Sequence, residues 1–332
     1  MSESGDYTSA SWSSGHSFSK ARSAYADEVV SRSYGKAISA GKSALDLVEA
    51  SLVSDAKRSL ILAVDHTGSM GERTGIIFAK YPYLIHEVQT EYLGADTDIC
   101  LVAVGDAEGD TYPLEVRPLV KTKKDLEKEL KALVIEGGGG EGGTESYELA
   151  CLYFCRNATF PKALHKPIMI ITGDEGPKDQ VTPDQAKMYA HIHLEKSISA
   201  KDIFKELLEK YEVYYILNPY GSSGAMVRER LDVSSQAYYR KWCSLLGDDR
   251  VVILPDPDRV VDVIFGILAK VTDKIEYFKE EIEDRQKPEQ VATVYKALHT
   301  IHALPAPTSK PKKVGDSKLR STSTGPKSKP LM

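Results

Sequence analysis

Apolar residues along this chain fall into two kinds of run. Short blocks rich in β-branched residues alternate with longer stretches in which apolar side chains recur every three or four positions. Ser59–Asp65 is a continuous apolar strand ending in a carboxylate, and Gly71–Leu93 follows with helical spacing at Ile76, Ile77, Leu84 and Val88. Asp98–Gly105 reads as a second strand. Leu114–Val120 is a third, more polar and so placed at an edge. Lys121–Ile135 is an amphipathic helix, and a glycine-rich loop opens another helix over Glu145–Asn157. Lys166–Thr172 predicts a strand, Ala200–Lys210 a helix, Glu212–Leu217 a strand and Ser234–Leu246 a helix. Arg250–Leu254 is the last strand, followed by a long helix over Asp258–Glu283 and one more over Gln290–His302. Strands alternating with helices predict an α/β fold: a doubly wound, mostly parallel central sheet with helices on both faces. In such sheets ligands sit beyond the carboxyl ends of the strands.

The ends differ from this body. Residues 1–50 hold 13 serines and few large aliphatics before Val29. Residues 1–33 therefore read as a serine-rich flexible segment and 34–55 as a lead-in helix. The α/β domain spans 56–275, a helical extension 276–304, and a disordered basic Pro/Ser/Lys tail 305–332. That tail carries seven basic residues against one acidic, and residues 1–50 carry five against six. Of the 43 basic and 48 acidic residues in the chain, 31 and 41 are left for residues 51–304, a net charge of −10. An acidic body argues against nucleic acid as a partner, except through the tail. Charge interrupts every apolar run short of the ~18 residues a membrane span needs, and Met1-Ser2-Glu3-Ser4 lacks a basic-then-apolar signal. The expectation is a cytoplasmic protein that does not engage a membrane. The four cysteines offer no disulfide framework and read as buried free thiols.

Three loops at predicted strand ends carry the chemistry. After the first strand comes Asp65-His66-Thr67-Gly68-Ser69-Met70-Gly71, whose alternate polar residues can turn three oxygens toward one point. Carboxylate and hydroxyl oxygens suit a hard divalent cation. The second loop, Glu136 to Glu145, holds six glycines in ten residues and presents Thr144 where a helix begins. The third, Thr172-Gly173-Asp174-Glu175, again sets a carboxylate at a strand end.

With Asp65-x-Thr67-x-Ser69 after an apolar strand, Gly142-Gly143-Thr144 opening a helix and an acidic pair ending a later strand, residues 56–275 resemble a von Willebrand factor A-type (vWA) domain. In style the chain is nearer the bacterial-type intracellular members than the extracellular ones. The resemblance implies a Rossmann-like fold with a metal-ion-dependent adhesion site (MIDAS). It places Asp65, Thr67, Ser69, Thr144 and Asp174 around Mg²⁺, with Mn²⁺ or Ca²⁺ as substitutes. Two departures keep alternatives open. The family sets its aspartate directly after the threonine, so Asp174 or Glu175 can be the ligand here. Extra glycines let Glu141 take the place of Thr144.

Competing chemistries lack their residues. Gly41-Lys42-Ser43 ends like a phosphate-binding loop, but Lys36 occupies the first glycine's place and no strand precedes it. Thr67-Gly68-Ser69-Met70-Gly71 lacks the first glycine of a nucleophile elbow. His191-x-His193 and His299-x2-His302 have no third zinc ligand in sequence. A bound metal with an open coordination position is what the residues themselves suggest. The vWA resemblance implies that the function is Mg²⁺-dependent protein binding, without catalysis, in which a partner's Asp or Glu reaches the cation. The resemblance adds adaptor work for a separate AAA+ ATPase. The rivals are a metal-dependent hydrolase, with His66, Glu141, Glu145 or Glu175 as base, and a scaffold whose metal is purely structural.

Overall fold

The computed structural model describes residues 34–70, 72–134, 136, 143–219, 231–254 and 256–301. The expectations for residues 1–33, Glu141, Gly142, His302 and the basic tail lie outside these residues.

Six strands form the central sheet: β1 (Arg58–Asp65), β2 (Thr97–Val104), β3 (Leu114–Val116), β4 (Ile168–Gly173), β5 (Glu212–Leu217) and β6 (Val251–Ile253). Their spatial order is β6-β5-β4-β1-β2-β3. All neighbours are parallel except β3, which closes one edge antiparallel to β2. The helices are α1 (Tyr34–Ser39), α2 (Glu72–Glu87), α3 (Lys123–Ala132), α4 (Tyr147–Asn157), α5 (Pro183–Tyr189), α6 (Ala200–Lys210), α7 (Val233–Leu246), α8 (Val260–Thr272), α9 (Ile275–Arg285) and α10 (Pro288–Ala297).

Successive side chains of a strand point to opposite faces, so each central strand feeds two cores. Leu60, Leu62 and Val64 of β1 pack with α2, α3, α8, α9 and α10 on one face. Ile61 and Ala63 pack with α4, α6 and α7 on the other. Burial on both sides explains why β1 is apolar without alternation, each buried aliphatic side chain contributing ~1.5–3 kcal/mol. Among the described residues no helix is long and apolar enough to cross a membrane. All four cysteines are free, and Cys100, Cys151 and Cys155 are buried.

Two sequence expectations need correction, and one helix is new. The lead-in helix over 34–55 is broken: α1 ends at Ser39, Gly41 takes a left-handed φ of 65°, and Ser43 starts a short 3-10 turn over Ala44–Leu47. Leu52–Val53 then pairs with Ala158–Thr159 as strand, so tertiary backbone pairing overrides helical spacing. The long helix over 258–283 is two helices, because Asp273 adopts a left-handed φ of 55° at the end of α8. That turn lets α9 lay Phe278 and Ile282 back on the core. The new helix is α5, where Thr182 and Gln185 form a capping box at its start. The C-terminal extension is continuous with the body's core, as Leu298 packs directly over Gly266 of α8.

Candidate metal centre

β1 and β4 are neighbours in register, with Val64 opposite Thr172. The chain leaves β1 toward β2 on one side and reaches β4 on the other, so their carboxyl ends flank the point where strand order reverses. This is where an open α/β sheet forms its crevice. Asp65 ends β1, and Asp174 follows the last residue of β4.

The side chains meet across that gap. Thr67 Oγ1 donates to Asp65 Oδ1 at 2.6 Å, and the Thr67 backbone N–H donates to the same oxygen at 2.9 Å. Thr67 Oγ1 lies 3.1 Å from Ser69 Oγ, which donates to Asp174 Oδ1 at 3.0 Å. Two hydroxyl protons thus serve three oxygen–oxygen contacts, and the chain is one proton short unless one of its two carboxyls carries one. Asp65 and Asp174 are fully buried, Thr67 is nearly so, and Ser69 is exposed. Solvent therefore reaches the group from the Ser69 side. Thr74 Oγ1 donates to the Asp65 carbonyl at 2.9 Å and ties the loop to α2.

Charge crowds here. Burial pushes the Asp65 carboxyl up to about 6, against the opposing bonds from Thr67 and Tyr147. Burial and then the neighbouring Asp65 charge push Asp174 up to about 8. Burial, followed by the charges of Asp65, Glu175, Asp106 and Asp110, pushes Glu145 up to about 10. Such carboxyls hold protons or take a cation.

The second loop arrives differently from its sequence reading. Thr144–Glu145 pairs in parallel with Gly176–Pro177, beside the third loop. Thr144 lines a polar cavity of about 280 Å³ with Glu108, Lys178, Asp179, Thr182 and Lys241. Its neighbour Glu145 is the residue on which Asp65 and Glu175 act. Lys178 of that cavity pairs with Asp106 at 2.8 Å and Glu108 at 2.9 Å. The structure thus brings Asp65, Thr67, Ser69 and Asp174 together by direct hydrogen bonds. Thr144 has no such bond to them among the described residues, and Glu175 is joined to the site through its charge and its backbone. Glu141 lies outside the described residues.

The other sequence candidates take ordinary positions. The His66 ring is buried with neither nitrogen hydrogen-bonded, and burial lowers its pKa to about 4, so it is neutral and shielded. His191 Nε2 lies within 3.2 Å of the carbonyls of Leu45 and Val48, and His299 Nδ1 lies 2.7 Å from the Lys296 carbonyl. Sequence reasoning missed Tyr147, whose hydroxyl donates to Asp65 Oδ2. No local motif marks it; only its place at the start of α4 does.

The donor set passes a chemical test for a hard divalent cation. Every donor is oxygen, and Asp174 Oδ2 and Glu145 Oε2 are buried with no hydrogen-bond partner. No group of three or more His, Cys, Asp or Glu residues among the described residues is arranged to hold a metal alone. A cation held here would need the hydroxyls of Thr67 and Ser69.

Fold and site together define a class: a doubly wound α/β protein with a hydroxyl-and-carboxylate cluster at its central strand ends. No protein-family model matches the sequence, and no curated protein sequence does. Solved structures of similar shape include proximal thread matrix protein 1 from the mussel byssus, at 13% identity and a TM-score of 0.44, over 65% of this chain and 48% of that one. The same protein with a zinc occupied MIDAS motif is similar at 14% identity and a TM-score of 0.41, over 65% and 48%. The pilus adhesin SpaC from Lactobacillus rhamnosus GG, in its open conformation, is similar at 13% identity and a TM-score of 0.45, over 69% and 31%. The chain spans less than half the length of these proteins.

Proposed function

We propose that this chain is a vWA-type binding module that holds a divalent cation, Mg²⁺ in the cell, and through it an acidic group of a partner protein. The observation that carries this is the hydrogen-bonded chain Asp65–Thr67–Ser69–Asp174, which gathers oxygens from two strand ends at a solvent-facing edge. Asp65, Thr67, Ser69 and Asp174 hold the cation directly or through water, and the adjacent pair Thr144–Glu145 supplies the second loop's contribution. A bound divalent cation would offer open coordination positions to a partner's Asp or Glu. Exposure of Ser69 sets the side from which that carboxylate approaches. A body of net charge −10 otherwise repels an acidic partner. The partner class extends to the client or subunit of a separate AAA+ ATPase, with this chain as adaptor.

A metal-dependent hydrolase is the weaker reading. It needs a base beside the metal; His66 is enclosed and its pKa is lowered to about 4, which makes it a weak base, so Glu145 or Glu175 would have to serve. Calorimetry with Mg²⁺ and Mn²⁺ tests the metal, and a pull-down with and without chelator tests the partner. Capture of the same proteins in both conditions makes the metal a structural one.

A further inference from the structure

Three buried aromatic residues from three separate elements turn their polar tips toward the candidate metal loops. Tyr147 begins α4, Tyr215 lies in β5 and Trp242 in α7, and all three are fully buried. Tyr215 and Trp242 stack with centroids 3.8 Å apart at 14°. Tyr147 meets Trp242 edge-on at 5.3 Å and Tyr215 edge-on at 5.9 Å. The three rings are one packed unit.

Their donors converge. Tyr215 Oη and Trp242 Nε1 both donate to the Glu175 carbonyl at 2.9 Å, using both lone pairs of one backbone oxygen next to Asp174. Tyr147 Oη donates to Asp65 Oδ2, while Asp65 Oδ1 receives the two bonds from Thr67. Both oxygens of that carboxylate are thereby assigned and its plane is fixed. Gly173 makes the approach feasible, since a Cβ there would overlap the Tyr147 hydroxyl. Tyr153, by contrast, satisfies its hydroxyl on the Glu49 carbonyl, remote from the site.

We propose that Tyr147, Tyr215 and Trp242 act together as positioning residues for the metal centre, Tyr147 fixing the Asp65 carboxylate from behind and the Tyr215–Trp242 stack holding the loop that carries Asp174. This rests on the metal-binding reading above. Groups that hold metal ligands from behind set ligand orientation, and removing one typically costs 10–100-fold in metal affinity. Tyr147→Phe and Trp242→Phe keep a ring in place and delete one donor each.

The test uses the full chain with Trp12→Phe, which leaves Trp242 as the single tryptophan. Mn²⁺ is titrated by calorimetry in every variant, and also by tryptophan emission in those that keep Trp242, with thermal midpoints taken in EDTA. Tyr147→Phe and Trp242→Phe should weaken Mn²⁺ binding by roughly 10–100-fold. Tyr153→Phe, a control with a comparable lost hydrogen bond, should bind as the parent does. If Trp242→Phe does not fold, Tyr215→Phe carries that arm, because it loses a hydroxyl and keeps the stack. Parent-like affinity in folded Tyr147→Phe and Trp242→Phe overturns the proposal and leaves the metal reading standing. An equal loss in Tyr153→Phe also overturns it, by showing a general effect of core damage. A parent protein that binds no Mn²⁺ overturns both.

Discussion

Ser69 and Asp174 are 105 positions apart in sequence, and the Ser69 hydroxyl donates to the Asp174 carboxylate at 3.0 Å. One stands in the loop after β1 and the other after β4, so adjacency of these two parallel strands creates the contact. Asp174 is thereby the residue of the third loop that joins the first loop's hydroxyls.

Replacing Asp65 by Ala should abolish measurable Mg²⁺ and Mn²⁺ binding in calorimetry with the fold retained. The variant leaves Tyr147 Oη and the Thr67 N–H without their acceptor, at a cost of ~1–3 kcal/mol each, and removes one charge from a crowded buried group. Unchanged affinity would falsify the assignment.

Asp174→Asn should weaken metal binding at least tenfold more than Glu175→Gln, since the Ser69 hydroxyl bonds to the Asp174 carboxylate and so ties that residue to the first loop. In the second loop, Glu145→Gln should weaken it more than Thr144→Ala, because the Asp65 charge acts on Glu145 while Thr144 lines the neighbouring cavity. The reverse order in either pair means that the loop contributes through its other residue.

Away from the site, Glu115 lies fully buried on β3 and accepts from the Val134 N–H at 2.8 Å, and burial pushes its carboxyl from 4.5 up to about 8. The folded chain thus keeps a proton that the unfolded chain releases. Folded-state proton binding exceeds that of the unfolded state between pH ~4.5 and ~8, so stability falls as pH rises through that window. Across it the fall is about 1.4 kcal/mol for each step of one in pH, so Glu115→Gln should flatten the profile by a few kcal/mol. Denaturant unfolding at pH 5 and pH 8 checks it. Identical slopes in the two proteins would show that Glu115 ionises without cost in the fold.

Partner capture should need the cation and the first loop together. Thr67→Ala/Ser69→Ala removes two of the oxygens at the solvent-facing edge and leaves the apolar strand beneath them intact. Pull-downs with the parent should lose their partners in EDTA and regain them with Mg²⁺, and the double variant should lose them in both. Identical partners in all four conditions would leave no role for the metal in binding.

Much of the fold was legible in local pattern. Ala200–Lys210 and Glu212–Leu217 match the observed helix and strand to the residue. Asp65, Thr67 and Ser69 share one loop as the sequence suggested, but a bend at Thr67 and a turn over Gly68–Met70, not an extended segment, bring their oxygens together. What local pattern missed has long-range causes. Helical spacing over 34–55 gave way where Leu52–Val53 found the backbone of Ala158–Thr159, and apolar spacing across 258–283 did not reveal the left-handed turn at Asp273. The capping box of Thr182 and Gln185 at the start of α5 is, by contrast, a local signal.

By itself the sequence determined the order of strands and helices, the two-sided burial of the central sheet and the presence of oxygen-bearing loops at strand ends. These follow from hydrophobic period and turn chemistry, which act over a few residues. Only the tertiary structure decided which loop residues meet. Parallel pairing of β1 with β4 chose Asp174, the short pairing of Thr144–Glu145 with Gly176–Pro177 turned Thr144 toward the cavity, and the packing of α4, β5 and α7 brought Tyr147 and Trp242 behind the site. Contacts between residues about a hundred positions apart depend on strand register and helix packing, and neither is written in any local stretch of the chain.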